Sequence, residues 1–152
     1  MSRVSTLTVE SHAAPRRPHL VTAEFFIDGR SLLEHSERAA KQTFDLVSPF
    51  GWTPAEYQLE VAQRLLLRQP AVLTSGRREF IVCPECADLA CGCISAIVER
   101  AEGCFVWSDF GYEASGDPDS LLLFPMGRIV VREDDVMRLL GTIIPGLTDT
   151  PR

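Results

Sequence analysis

The chain has 152 residues, 45% of them apolar and 24% charged, and a formal net charge of −6. That length suits one hydrophobic core rather than two, and those proportions exclude a disordered or fibrous chain. The acidic balance argues against a dedicated nucleic-acid binder, which needs clustered Lys and Arg, and no apolar run reaches the length of a membrane span.

Residues 1–19 are polar and end in Ala-Ala-Pro-Arg-Arg-Pro-His, a composition that predicts a flexible arm. Its alternation at Thr6-Leu7-Thr8-Val9 is the one edge-strand signal within it. No export signal is visible there, which leads to a cytoplasmic expectation. Val21 to Ile27 is rich in β-formers and stops at Asp28-Gly29, so it predicts a strand and a turn. A helix over 31–41 follows, with Ser31 as its N-cap.

Thr53-Pro54-Ala55-Glu56 reads as an N-cap, a proline at the first helical position and a capping-box partner. The helix it opens runs to about Arg68, with Tyr57, Val61, Ala62, Leu65 and Leu66 on one stripe. Arg78 to Cys83 and Ile94 to Arg100 read as strands around a cysteine loop over 83–92. Glu102-Gly103 turns the chain into a strand from Cys104 to Phe110. Apolar residues on both faces of that hairpin predict a central position with cover on each side. A polar loop over 111–119 and strand material at Leu121 to Phe124 and Arg128 to Val131 come next. Glu133, Asp134 and Asp135 then open a helix bearing Val136, Leu139, Leu140 and Ile143. The expected architecture is a single α+β domain over 20–145, a mainly antiparallel sheet packed by two or three helices, with a disordered tail over 146–152.

Four cysteines fall within eleven residues, Cys83-Pro-Glu-Cys86-Ala-Asp-Leu-Ala-Cys91-Gly-Cys93. A Cys-x-x-Cys turn lets two thiolates converge on one tetrahedral ion, and four sulfurs would close a structural zinc site. Cys91 and Cys93 are spaced more tightly than usual, and both would face the ion only if the chain between them were extended. Three readings stand on spacing: one Zn2+ on Cys83, Cys86, Cys91 and Cys93, reduced thiols used as small apolar residues, or redox use of Cys83 and Cys86. Five cysteines in all, an odd number with four of them clustered, fit a reducing compartment.

From Arg77 to Glu113 the chain resembles a family of uncharacterised bacterial proteins. The shared features are Gly76-Arg77 before a strand, the Cys83 to Gly92 turn of pattern Cys-Pro-x-Cys-x-Asp-Leu-x-Cys-Gly, and the Val106-Trp107-Ser108-Asp109-Phe110 strand end that continues to Glu113. Members are sometimes labelled oxidoreductases. The resemblance does not supply a cysteine at the place of Cys93, which implies three cysteine ligands with Asp88 or a histidine from elsewhere.

Asp109 and Glu113 flank an aromatic stretch and are acid–base candidates by type, but no His or Lys in the sequence nearby completes a set. The basic pairs Arg16-Arg17 and Arg77-Arg78 read as surface features. The function these features favour is a non-enzymatic module that binds a protein partner, immunity-protein-like by analogy, with neither nucleic acid nor membrane as its target. The alternative is a thiol oxidoreductase.

Overall fold

In the computed structural model, which describes residues 3–147, Asp28 and Gly29 both take left-handed backbone, with φ of 52° and 84°. Such a two-residue turn matches the twist of the strands it joins. It links a long strand, β2 (Arg17–Ile27), to the short β3 (Arg30–Ser31). Ser31 then caps α1 (Leu32–Ala40) by accepting the Glu34 amide at 3.1 Å, and the helix ends at Lys41 in left-handed conformation.

The other side of β2 carries β1 (Leu7–Ala14), paired from Leu7 opposite Ile27 to Ala13 opposite Val21. The flexible arm is therefore corrected: of its residues, 7–14 and 17–19 are strand, and 1–2 lie outside the described residues. Composition hides this because only Leu7 and Ala14 of β1 are buried. The strand is held by its backbone ladder rather than by apolar burial. Arg16 anchors the turn beyond it, pairing with Glu37 and donating to the Phe44 carbonyl.

Helix α2 (Ala55–Leu65) is shorter at both ends than its sequence predicts. The Thr53 hydroxyl donates to the Pro49 carbonyl at 2.7 Å, so the capping box does not form. Gln58 takes over, donating to the Thr53 carbonyl and accepting the Gly51 amide. At the far end Leu67 turns left-handed, and the Arg68 amide reaches back to the Gln63 carbonyl at 2.9 Å, a Schellman closure.

A second antiparallel sheet follows the order β4 (Arg78–Ile81), β5 (Cys93–Ala101), β6 (Cys104–Ala114), β7 (Asp117–Leu123). The outer edge of β6 is divided, because β8 (Ile129–Arg132) pairs with Cys104–Trp107 and β7 with Gly111–Ala114. The polar loop expected over 111–119 is thus mostly strand around a turn at Ser115-Gly116. Helix α3 (Glu133–Ile143) buries Val136 and Leu140 beneath an acidic first turn. In all, three α-helices and eight strands make one α+β domain among the described residues. None of the described helices is long and apolar enough to cross a membrane. Of the tail expected over 146–152, residues 148–152 lie outside the described residues.

Isolated bridges join the two sheets into a hydrogen-bonded circuit. Val47 exchanges bonds with Val82 beyond β4, the Ala23 amide of β2 donates to Phe50, and the Ser5 amide before β1 donates to Val130 of β8. Inside, Trp107 lies 5.6 Å from Phe25 and 4.8 Å from Phe80, whose ring is 5.6 Å from Phe110.

Phe110 shares a face with Phe105 and Trp107 only because Asp109, at φ 51°, makes a bulge. The register steps there from Ile97 opposite Ser108 to Ser95 opposite Gly111, one extra residue that resets the alternation. The expected apolar cover on both faces is therefore corrected. Ile97 is 36% exposed, and the buried part of the second face is polar.

Trp107 is fully buried, and its Nε1 has no hydrogen-bond partner among the described residues. Trp107→Ala should cost about 3–5 kcal/mol in urea unfolding. Trp107→Phe should cost clearly less, since no polar group loses a partner.

Candidate metal centre

Ile81 faces Ile94 across β4 and β5, so the intervening chain must reverse direction. It does so in two steps. The first is a tight turn in which the Ala87 amide donates to the Cys83 carbonyl at 3.0 Å and Ala87 takes a φ of 59°. The second is a 3-10 turn over Leu89–Cys91, capped by the Asp88 carboxylate, which accepts the Ala90 amide at 2.9 Å. Two outside contacts hold the loop down. Tyr57 donates its hydroxyl to the Ala87 carbonyl, and the Ser115 amide donates to the Leu89 carbonyl.

These steps bring the sulfurs of Cys83, Cys86 and Cys91 within 4.8 Å of one another, with Cys86 and Cys91 at 3.5 Å. The group could hold a metal ion. Cys86 and Cys91 are exposed and Cys83 is half-buried. Zinc–sulfur bonds of about 2.3 Å at tetrahedral angles set sulfurs about 3.8 Å apart, so the cluster fits such an ion with sub-ångström to about 1 Å adjustments.

Backbone amides also face the sulfurs. The Asp88 amide donates to the Cys86 sulfur at 3.4 Å. Burial is the largest influence on Cys83 and would raise its pKa. The amides of Glu85 and Cys86, together with the Cys86 and Cys91 thiols, outweigh it and hold Cys83 below the ordinary thiol value. Cys86, by hydrogen bond and then by charge, pushes Cys91 up to about 11. Three sulfurs this close cannot all ionise without a cation among them.

Cys93 is not a member, which corrects the four-cysteine expectation. Gly92, at φ 104°, breaks the extended path that would have aligned it with Cys91. Cys93 instead opens β5 fully buried, and burial first, then Glu113 and Glu79, push its thiol up to about 12. Asp88 is not a member either, being spent on its cap. Cys104 is half-buried opposite Ala101 at the far end of the hairpin.

Behind Cys93 lies a polar network that the sequence did not reveal. Arg77 donates to the Ser95 hydroxyl at 2.9 Å and to the Ser95 and Asp109 carbonyls, and it pairs with Glu113 at 3.2 Å. Ser75 and Ser95 donate to the same carboxylate. Glu113 is thus a buried ion-pair partner while Asp109 sits exposed on the bulge, so the two do not form an acid–base pair. The basic residues are equally occupied. Arg17 pairs with Asp45 and Glu85, and Arg78 donates to the Arg64 and Gln69 carbonyls.

Depressions flank the cluster. One of about 320 Å³ is lined by Trp52, Pro54, Tyr57, Glu85 and Cys86; another, of about 370 Å³, is lined by Phe44, Asp45, Cys91 and Tyr112. Burial pushes the Tyr57 phenol up to about 12, so it stays a hydrogen-bond donor. Comparisons with protein-family models, with curated proteins and with solved structures return no match to this chain.

Gly92 is the geometric key to the second step. A Cβ there would lie 2.0 Å from the Tyr112 hydroxyl oxygen, and that ring is stacked on Phe44 at 5.9 Å. Gly92→Ala should destabilise the fold by at least about 1 kcal/mol in urea titration. A change of only a few tenths would contradict the turn described here.

Proposed function

We propose that this protein is a zinc-clasped, non-enzymatic domain that binds a protein partner. The observation that carries the reading is the convergence of Cys83, Cys86 and Cys91 within 4.8 Å of one another. Soft thiolates select zinc over the hard divalent ions. Once bound, the ion supplies a cross-link between the end of β4 and the turn leading into β5. The free thiols this requires belong to a reducing compartment, the cytoplasm.

The partner half of the reading draws support from β7. Leu121, Leu122 and Leu123 are 38%, 56% and 54% exposed, an apolar run on a strand that, among the described residues, pairs only with β6. Apolar edges of this kind are usually covered or blunted. A second reading, thiol–disulfide exchange at Cys83 and Cys86, draws on the depressed Cys83 thiol.

Elemental analysis with a thiol count, on protein purified without chelator or affinity-tag metal, separates the two. The clasp predicts one zinc per chain and three of the five cysteines masked. It also predicts loss of zinc in Cys83→Ser or Cys86→Ser. At a hundredfold excess of zinc over its Kd the ion adds about 2.7 kcal/mol, so chelation should lower Tm by roughly 5–10 °C. Metal-free protein with reversibly oxidised Cys83 and Cys86 would overturn the clasp in favour of exchange.

A further inference from the structure

Structural zinc sites are closed by four protein ligands, whereas three protein ligands leave a position for something else. Here Cys83, Cys86 and Cys91 stand alone: no other Cys, His, Asp or Glu among the described residues joins them. The two nearest alternatives in sequence are placed elsewhere, Cys93 inside the fold and Asp88 in its cap. Nor does the cluster lie sealed. Cys86 and Cys91 are exposed, and each lines its own depression.

We infer that the metal centre keeps an open fourth position and takes there a neutral nitrogen donor, an imidazole, from outside the chain. The inference rests on the zinc reading and adds the ligand class. Charge selects the donor. Three thiolates on a divalent ion already carry one net negative charge. Asp45 lines the Cys91 depression, Glu85 the Cys86 depression, and Asp88 lies in the loop, with Arg17 bound to the first two. A fourth thiolate or a carboxylate would add like charge to an anionic neighbourhood, while imidazole adds none. Trp52, Pro54 and Tyr57 beside Cys86 give the residues flanking a donated histidine an apolar surface to lie on. A histidine on a partner protein therefore fits better than a free small molecule.

His19 is the internal competitor. Register steps from Ala14 opposite Arg17 to Ala13 opposite Val21, so Pro18, His19 and Leu20 bulge out of the ladder and line a depression with Pro84. The test uses the full chain loaded with cobalt(II), whose visible bands report the ligand set, with His19→Gln alongside.

Imidazole, a tripeptide with a central histidine flanked by leucines, and a small thiol are titrated in turn. Expected are one cobalt per chain with sulfur charge-transfer absorption, saturable band shifts with imidazole, and at least tenfold tighter binding of the peptide. The thiol should bind at least tenfold more weakly than imidazole, and His19→Gln should match the parent. Equal binding of imidazole and peptide would still support the open nitrogen site, with a small molecule as its source. Bands that neither imidazole nor peptide moves, tighter binding of the thiol, or an altered starting spectrum in His19→Gln would each overturn the inference while leaving the clasp intact. Absence of sulfur-bound cobalt would overturn both.

Discussion

Antiparallel pairing of Ile81 with Ile94 obliges the chain between them to double back, and that stretch carries four of the five cysteines. The reversal is made by two turns with different backbone demands. A left-handed Ala87 closes the first, and Gly92, in a conformation that side chains rarely adopt, closes the second. Two sulfurs from the first turn and one from the second therefore meet on one side, and the cysteine after them, Cys93, is buried in the fold. The selection of three cysteines out of four is a consequence of backbone geometry.

That geometry is backed from below. Arg77 ties β5 to the bulge of β6 through Ser95 and the Asp109 carbonyl, and Glu113 neutralises it in a buried setting. Burial lowers the Arg77 pKa, opposed by the charges of Glu113 and Asp109. A network of this kind is stable only while each member is satisfied. The aromatic cluster around Trp107 sits on the opposite face and unites the two sheets, so the loop is mounted on strands held from both sides.

What could be read in the sequence was local. The Asp28-Gly29 and Glu102-Gly103 turns, the Ser31 cap and the acidic start of α3 each depend on a few adjacent residues, and each lies where its chemistry puts it. The α+β class and the convergence of Cys83, Cys86 and Cys91 followed from similarly short patterns. What could not be read depends on distant partners. Strand β1 buries too little to advertise itself and exists through its ladder with β2. The left-handed Asp109 has no glycine to mark it, yet it decides which side Phe110 takes. Thr53 looked like a cap until the Pro49 carbonyl offered a better acceptor. The neighbourhood of Trp52 and Tyr57 with Cys86 spans more than thirty positions and leaves no spacing signal at all.

Zinc X-ray absorption on the intact protein tests the central claim most directly, because it counts sulfurs at the metal. Three sulfurs at about 2.3 Å with one lighter atom is the result expected from a cluster that excludes Cys93. A shell of four sulfurs, or one of nitrogen and oxygen alone, would contradict it.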